Sequence, residues 1–326
     1  MEPKLSKGAF LLSLDTELAW GGLHNGKYRE RVDLFEATRS AVARLLSLLG
    51  EYEIHATWAV VGHLLLRGCC QGAVKHPELV RPDYPWLRGD WLDPVPCSEE
   101  GADPLWYAPD MVESILSCAA EQEIGCHTFS HVIAGHPGCS RQCFESEVRA
   151  CVDAARGWGL KLTSFVFPRN SVAHLDVLRE QGFRAFRGSS DNGVLTKLPG
   201  PVGRVARGIK WVVPQPPLTA SPEYRDGLWC LPDTSFYLHR EGGAGLLPVA
   251  GRVLRAARGL HEAARDQNLF HLYLHPFNLA TDPDPLLEGL EKIFRMVASK
   301  RDRGILDNPT MGELAHRLDA GVGSVA

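Results

Sequence analysis

The sequence predicts an α/β protein, a distorted barrel of mostly parallel strands, on three observations. Strand-like apolar runs alternate with helix-length periodic segments from Ala9 onward, and parallel neighbours need such a helix at each crossover. The polar residues best suited to chemistry, Asp15, His127, Arg169 and His275, stand where apolar runs stop, and in a parallel barrel those ends share one rim. The length of 326 residues suits a barrel with an insertion.

The elements follow in order. Residues 9–14 are a buried strand ending at Asp15, and residues 33–49 a helix with Val42, Leu45, Leu46 and Leu49 in one stripe and Gly50 as its stop. Residues 54–61 form the second strand, rich in β-branched and aromatic residues. From about 68 to 109 no period survives. The run from Asp83 to Asp93 is too aromatic for a linker and predicts an insertion packed over a binding face. Helix 110–122 leads to a short strand at 124–125, and helix 140–158 carries Phe144, Val148, Cys151, Val152 and Ala155 on one face. Strand 162–167, helix 175–181 and strand 183–186 follow, and residues 192–224, rich in Pro and Gly, have no assignment. Then come strand 228–231, helix 246–266, strand 269–274, helix 286–299 and a last helix opening at Thr310, where Glu313 completes a capping box. Residues 1–320 read as one domain and 321–326 as a flexible tail.

Composition narrows the function. A formal net charge of −4 with no block of lysine or arginine argues against a nucleic-acid partner. No apolar run reaches membrane-span length, and the charged start predicts a cytoplasmic protein without a secretory leader. Nine cysteines without zinc-finger spacing read as reduced thiols. Neither a nucleophile elbow nor a P-loop is present.

The chemistry concentrates in His127-Thr-Phe-Ser-His131. On a helix beginning at His127, the spacing of four places both imidazoles on one face, close enough to share a metal ion. Leu12-Ser-Leu-Asp-Thr-Glu-Leu18 supplies two carboxylates at the end of the first strand. Together they point to a metal-assisted hydrolase.

These motifs, in this order, resemble the polysaccharide deacetylases (the NodB-homology domain of the family 4 carbohydrate esterases). The resemblance runs from Ala9 to His275: the histidine pair fits the family's H-[ST]-x-x-H motif, Ala56–Gly62 its second strand, Phe165-Val-Phe-Pro-Arg-Asn170 its arginine and proline motif, and Leu272-Tyr-Leu-His275 its closing strand. Thr16 replaces the second of two adjacent aspartates, Pro168-Arg169 inverts the usual order, and the fourth motif's aspartate is Asp191 by position or Asp233 by context.

The resemblance implies a divalent ion, zinc first with cobalt or nickel as alternatives, held by Glu17, His127 and His131. It gives Asp15 the role of base, Arg169 that of holding Asp15, and His275 that of acid; exchange of Asp15 and Glu17 stays open. Trp20, Asn170 and Trp91 are the expected substrate contacts. The implied reaction removes acetyl from an N-acetylated sugar or sugar conjugate. The alternatives are a cytoplasmic hydrolase of a non-sugar C–N bond on the same fold, and an inactive glycan-binding barrel.

Overall fold

Side-chain alternation along Gly8–Thr16 (β1) organises the molecule. Phe10, Leu12 and Leu14 face the helices, while Ala9, Leu11, Ser13 and Asp15 face the other way, into the barrel. The computed structural model describes residues 5–69, 74–96, 98, 102–189, 218–246 and 248–323.

β1 pairs in parallel with Ala56–Val60 (β2) on one side and with Leu269–Leu274 (β9) on the other. Gln122–Cys126 (β3), Ser164–Val166 (β4), Ala185–Arg187 (β5) and Leu228–Cys230 (β7) continue the parallel series beyond β2. Glu223–Arg225 (β6) adds an antiparallel hairpin on β7, its turn made by Asp226 and Gly227, both at positive φ. Ser235–Phe236 (β8) lies along β9, and Leu306–Asp307 (β10) along the first residues of β1.

The sheet order is β6-β7-β5-β4-β3-β2-β1-β9-β8. Further backbone bonds reach across the open side of this order, among them Ala220 N–H to Leu269 O at 3.0 Å. Asp233 N–H donates to Gly188 O at 2.8 Å on the β5 side, and Thr234 N–H donates to His271 O at 3.0 Å on the β9 side. The sheet therefore curls round on itself, and the predicted distorted, mostly parallel α/β fold is the fold observed.

Inside the curl, Ala9, Leu11, Ala59, Val166, Ala185 and Leu269 pack against Met311, Leu314 and Ala315 of the final helix Met311–Gly323. That helix plugs one end, and its capping box is formed: Glu313 N–H donates to Thr310 Oγ1 at 3.1 Å, and Thr310 N–H to Glu313 Oε2 at 2.7 Å. Toward the strand C-termini the same inward faces become polar, with Ser13, Asp15, Arg187, His271 and Tyr273.

Two expected elements differ. The helix expected over 110–122 is Pro109–Leu116; Gln122 instead begins β3, opposite Ala56, with its side chain accepting from Trp58 Nε1 at 2.9 Å. The segment His127–His131 is a loop, not a helix. Thr128 and His131 take φ of 58° and 62°, left-handed values incompatible with a continuing α-helix.

The aromatic insertion is packed as expected: Tyr84, Trp91, Trp106 and Tyr107 are buried. No disulfide joins the described cysteines. Of the two candidates for the fourth motif, Asp191 lies outside the described residues.

Candidate metal centre and its catalytic rim

The curled parallel sheet brings the ends of β1, β3, β5 and β9 to one rim. Glu17 follows β1, where the chain turns into the short 3-10 segment Leu18–Asn25. His127 follows β3 directly, and His275 follows β9.

The Glu17 carboxylate lies between the two loop histidines. Its Oε1 is 3.1 Å from His127 Nε2 and 3.2 Å from His131 Nε2, and all three residues are buried. A side chain at Gly21 would collide with Glu17 Oε2, so the carboxylate lies over the backbone at a place only glycine leaves open. Burial opposes the charge on Glu17, but His275, His131 and His127 outweigh it and hold the carboxyl well below its usual range.

His127 Nδ1 donates to Val166 O at 2.8 Å, which leaves a lone pair on Nε2 facing Glu17. Two imidazole nitrogens and a carboxylate oxygen converging in a buried place suit a divalent cation, and these are the donor types and number that zinc takes in an open catalytic site. The residues present therefore fit the implied metal, with Glu17, His127 and His131 as its holders.

His275 stands at the edge. Its Nε2 is 3.5 Å from Glu17 Oε1 and 3.8 Å from Asp15 Oδ2, and its side chain is 24% exposed. Desolvation disfavours its charged form, yet the two carboxylates prevail and raise its pKa.

Asp15 is gripped from behind by Arg187, the last residue of β5. Arg187 donates from Nη1 to Asp15 Oδ1 at 2.5 Å and from Nη2 to Oδ2 at 2.7 Å. It also donates to Ser13 Oγ and to Asn170 Oδ1, and its guanidinium lies 4.4 Å from the centre of the Tyr273 ring. Burial alone would raise the Asp15 pKa, and Arg187 more than reverses it.

The expectation for Arg169 is corrected here. Arg169 is exposed in the turn after β4, at φ 58°, and the arginine on Asp15 is Arg187. β5 runs beside β4 inside the curl, so an inward side chain at its end reaches Asp15, whereas the turn carries Arg169 outward.

Asn170 uses both ends of its amide within the protein, accepting from Arg187 and donating to Asp233 Oδ2 at 3.1 Å. It buttresses the arginine, and Asp233 joins the same network. Trp20 and Trp91 are corrected as substrate contacts too. Trp20 is 0% exposed and Trp91 2%, so neither offers a face for a sugar. Trp91 instead donates its indole N–H toward Ser130 O and Oγ, each at 3.0 Å, bracing the histidine loop. The exposed aromatic of the insertion is Trp86, 46% accessible and stacked on Tyr84 with ring centres 4.8 Å apart.

Residues not anticipated from the sequence complete the surroundings. Glu147 accepts from Ser130 N–H at 2.7 Å and Oγ–H at 2.6 Å beneath the loop. His24 lies near Glu17 and His131, its pKa pushed down to about 4 chiefly by burial, then by the Arg169 charge.

No family model and no curated protein matches the sequence. Among solved structures, a Mycobacterium smegmatis protein assigned as a polysaccharide deacetylase superposes with a TM-score of 0.65, over 98% of this chain and 94% of its own, at 15% identity. The fold is that of the polysaccharide deacetylases. Two further similar structures are the Xyl-CE4 domain of a multidomain xylanase from the hindgut metagenome of Trinervitermes trinervoides (TM-score 0.47, 13% identity, 96% of this chain and 91% of that one) and BA3943, a CE4 family pseudoenzyme from Bacillus anthracis (TM-score 0.47, 11% identity, 95% and 66%). At these identities the deacetylase likeness is one of fold. No helix among the described residues is long and apolar enough to cross a membrane.

Proposed function

We propose that this protein is a metal-dependent deacetylase acting on an N-acetylated sugar or small sugar conjugate. The observation that carries the reading is the convergence of Glu17, His127 and His131 directly beside the Arg187-bound Asp15 and the partly exposed His275. A divalent ion in that site supplies Lewis acidity toward an amide carbonyl and lowers the pKa of a nearby water. Asp15, fixed by Arg187, takes the proton of the attacking water. His275, kept protonated by the carboxylates beside it, gives its proton to the nitrogen as the C–N bond breaks, leaving acetate and a free amine. His127 and His131 would hold the ion through their Nε2 atoms. The substrate class rests on the deacetylase fold, and the cytoplasm is the proposed compartment.

The test is metal content and acetate release, measured together. Wild type is expected to hold zinc, cobalt or nickel and to release acetate from N-acetylglucosamine derivatives. Glu17→Ala and His127→Ala should lose turnover and the metal equivalent bound at this centre, and Asp15→Asn should keep that equivalent but lose turnover. Loss of metal in Asp15→Asn with retention in Glu17→Ala reverses the two roles. Turnover only on non-sugar amides moves the substrate class, and a metal-loaded protein without turnover on any amide leaves a binding barrel.

A further inference from the structure

A second cluster of donors lies outside this centre. His63 sits in the turn Gly62–Leu65 after β2, while Cys69 and His76 belong to the insertion. One ligand-capable atom from each of the three lies within 4.8 Å of the others. We propose that His63, Cys69 and His76 bind a zinc ion that fastens the insertion to the barrel.

The orphaned nitrogens carry the argument. His63 is 0% exposed and His76 5%, and Nε2 of each is buried without a hydrogen-bond partner. Both Nδ1 atoms are engaged, His63 with Trp106 O at 3.0 Å and His76 with the Glu78 carboxylate at 2.9 Å. An Nδ1–H donated to an oxygen places the lone pair on Nε2, and this carbonyl- or carboxylate-backed imidazole is the arrangement metal-ligating histidines use. Leaving a buried acceptor unsatisfied costs about 1–3 kcal/mol, and here two such atoms belong to rings whose centres are 5.2 Å apart.

Cys69 supplies the third donor. Tyr107 Oη lies 3.0 Å from Cys69 Sγ and 2.9 Å from Pro96 O, so the thiol sits in a polar setting at the edge of the cluster. Ligand atoms around tetrahedral zinc stand roughly 3.3–3.6 Å apart, so closure on an ion asks for side-chain adjustments of about 1 Å. Binding releases the thiol proton to solvent. Ring packing explains part of the cluster, since the His63 ring lies 4.8 Å from Trp20, 4.7 Å from Tyr107 and 5.6 Å from Phe129. It does not explain two bare nitrogens, nor why His76, a non-glycine, is held at φ 45°. The cluster shares no residue with Glu17, His127 and His131, so the proposal stands apart from the deacetylase reading.

Cobalt distinguishes the two sites. Only the second contains a thiolate, and thiolate-bound cobalt(II) gives a near-ultraviolet charge-transfer absorption that the carboxylate–histidine centre lacks. The full chain, stripped by chelator and titrated with cobalt(II), should bind two equivalents and develop that band to saturation at one of them. The band should persist in His127→Ala, which binds one equivalent, and disappear in Cys69→Ser and His76→Ala. A folded wild type that takes one equivalent without the band overturns the proposal. So does a band retained at full intensity in Cys69→Ser. The wild-type titration decides the matter even where a variant fails to fold.

Discussion

Arg187 and Asp15 meet through two parallel hydrogen bonds, 2.5 and 2.7 Å long, between side chains that are 1% and 5% exposed. The pair joins two strands that are not neighbours in the sheet, β5 and β1, across the barrel interior. Removing one partner strands the other charge in a buried place.

Arg187→Ala is therefore expected to destabilise the fold by about 3–5 kcal/mol, as for a broken buried pair. Arg187→Lys keeps the charge but loses the fork, and on the proposed function acetate release should fall at least about tenfold with metal content unchanged. Arg169→Ala, at an exposed position, should shift stability by no more than about 0.5 kcal/mol. Chemical denaturation of the three variants beside acetate-release assays checks the ranking, and an Arg169 effect exceeding that of Arg187 contradicts it.

Gly21→Ala places a methyl group where Glu17 Oε2 lies. The carboxylate must move, and zinc affinity should drop by about 10- to 100-fold, the range for lost support of a ligand. Competition with a chromophoric chelator measures it.

Trp91→Phe keeps the ring but deletes the indole N–H that reaches Ser130. With the loop less firmly held, metal affinity should weaken by about tenfold, while the global unfolding midpoint moves little. The same chelator competition with a parallel melt separates the two effects.

Glu147 brings a pH dependence. Burial pushes its pKa up to about 7 against the pull of the Ser130 bonds. Its folded-state pKa thus exceeds the ordinary carboxyl value of about 4.3, and between those values the folded chain holds a proton that the unfolded chain has lost. Unfolding releases that proton, so this group's contribution to stability falls as pH rises through the window. Glu147→Gln should flatten that slope, read from denaturation midpoints at about pH 5 and about pH 7.5. An unchanged slope contradicts the assignment.

The strand ends were legible because one rule governs them all: a carboxylate or imidazole that terminates an apolar run must find a partner or an ion. That logic located Asp15, Glu17, His127 and His275. Applied consistently it also finds Arg187, which ends the run Phe183-Arg-Ala-Phe186 one residue past the strand's expected limit. The arginine beside Pro168 drew the assignment to itself, although it lies in a turn that faces solvent. The histidine spacing was legible but its carrier was not. Thr128 and His131 carry no mark of left-handed backbone, and a loop meets the same separation as a helical turn. The tryptophans were illegible for another reason. An indole seeks burial for its ring and a partner for its N–H, and Ser130 O and Trp106 O, which take the N–H groups of Trp91 and Trp20, are far from them in sequence.

The crossing at Asp233 and Thr234 links the site to the integrity of the whole ring. Asp233 holds Asn170, Asn170 holds Arg187, and Arg187 holds Asp15, while the amides of Asp233 and Thr234 are bonded to the two strands they join. Those two amide protons exchange with deuterium when the seam parts, and the same parting slackens the chain of side chains behind Asp15. Their exchange rates are thus a ligand-free gauge of how often the geometry around Asp15 lapses.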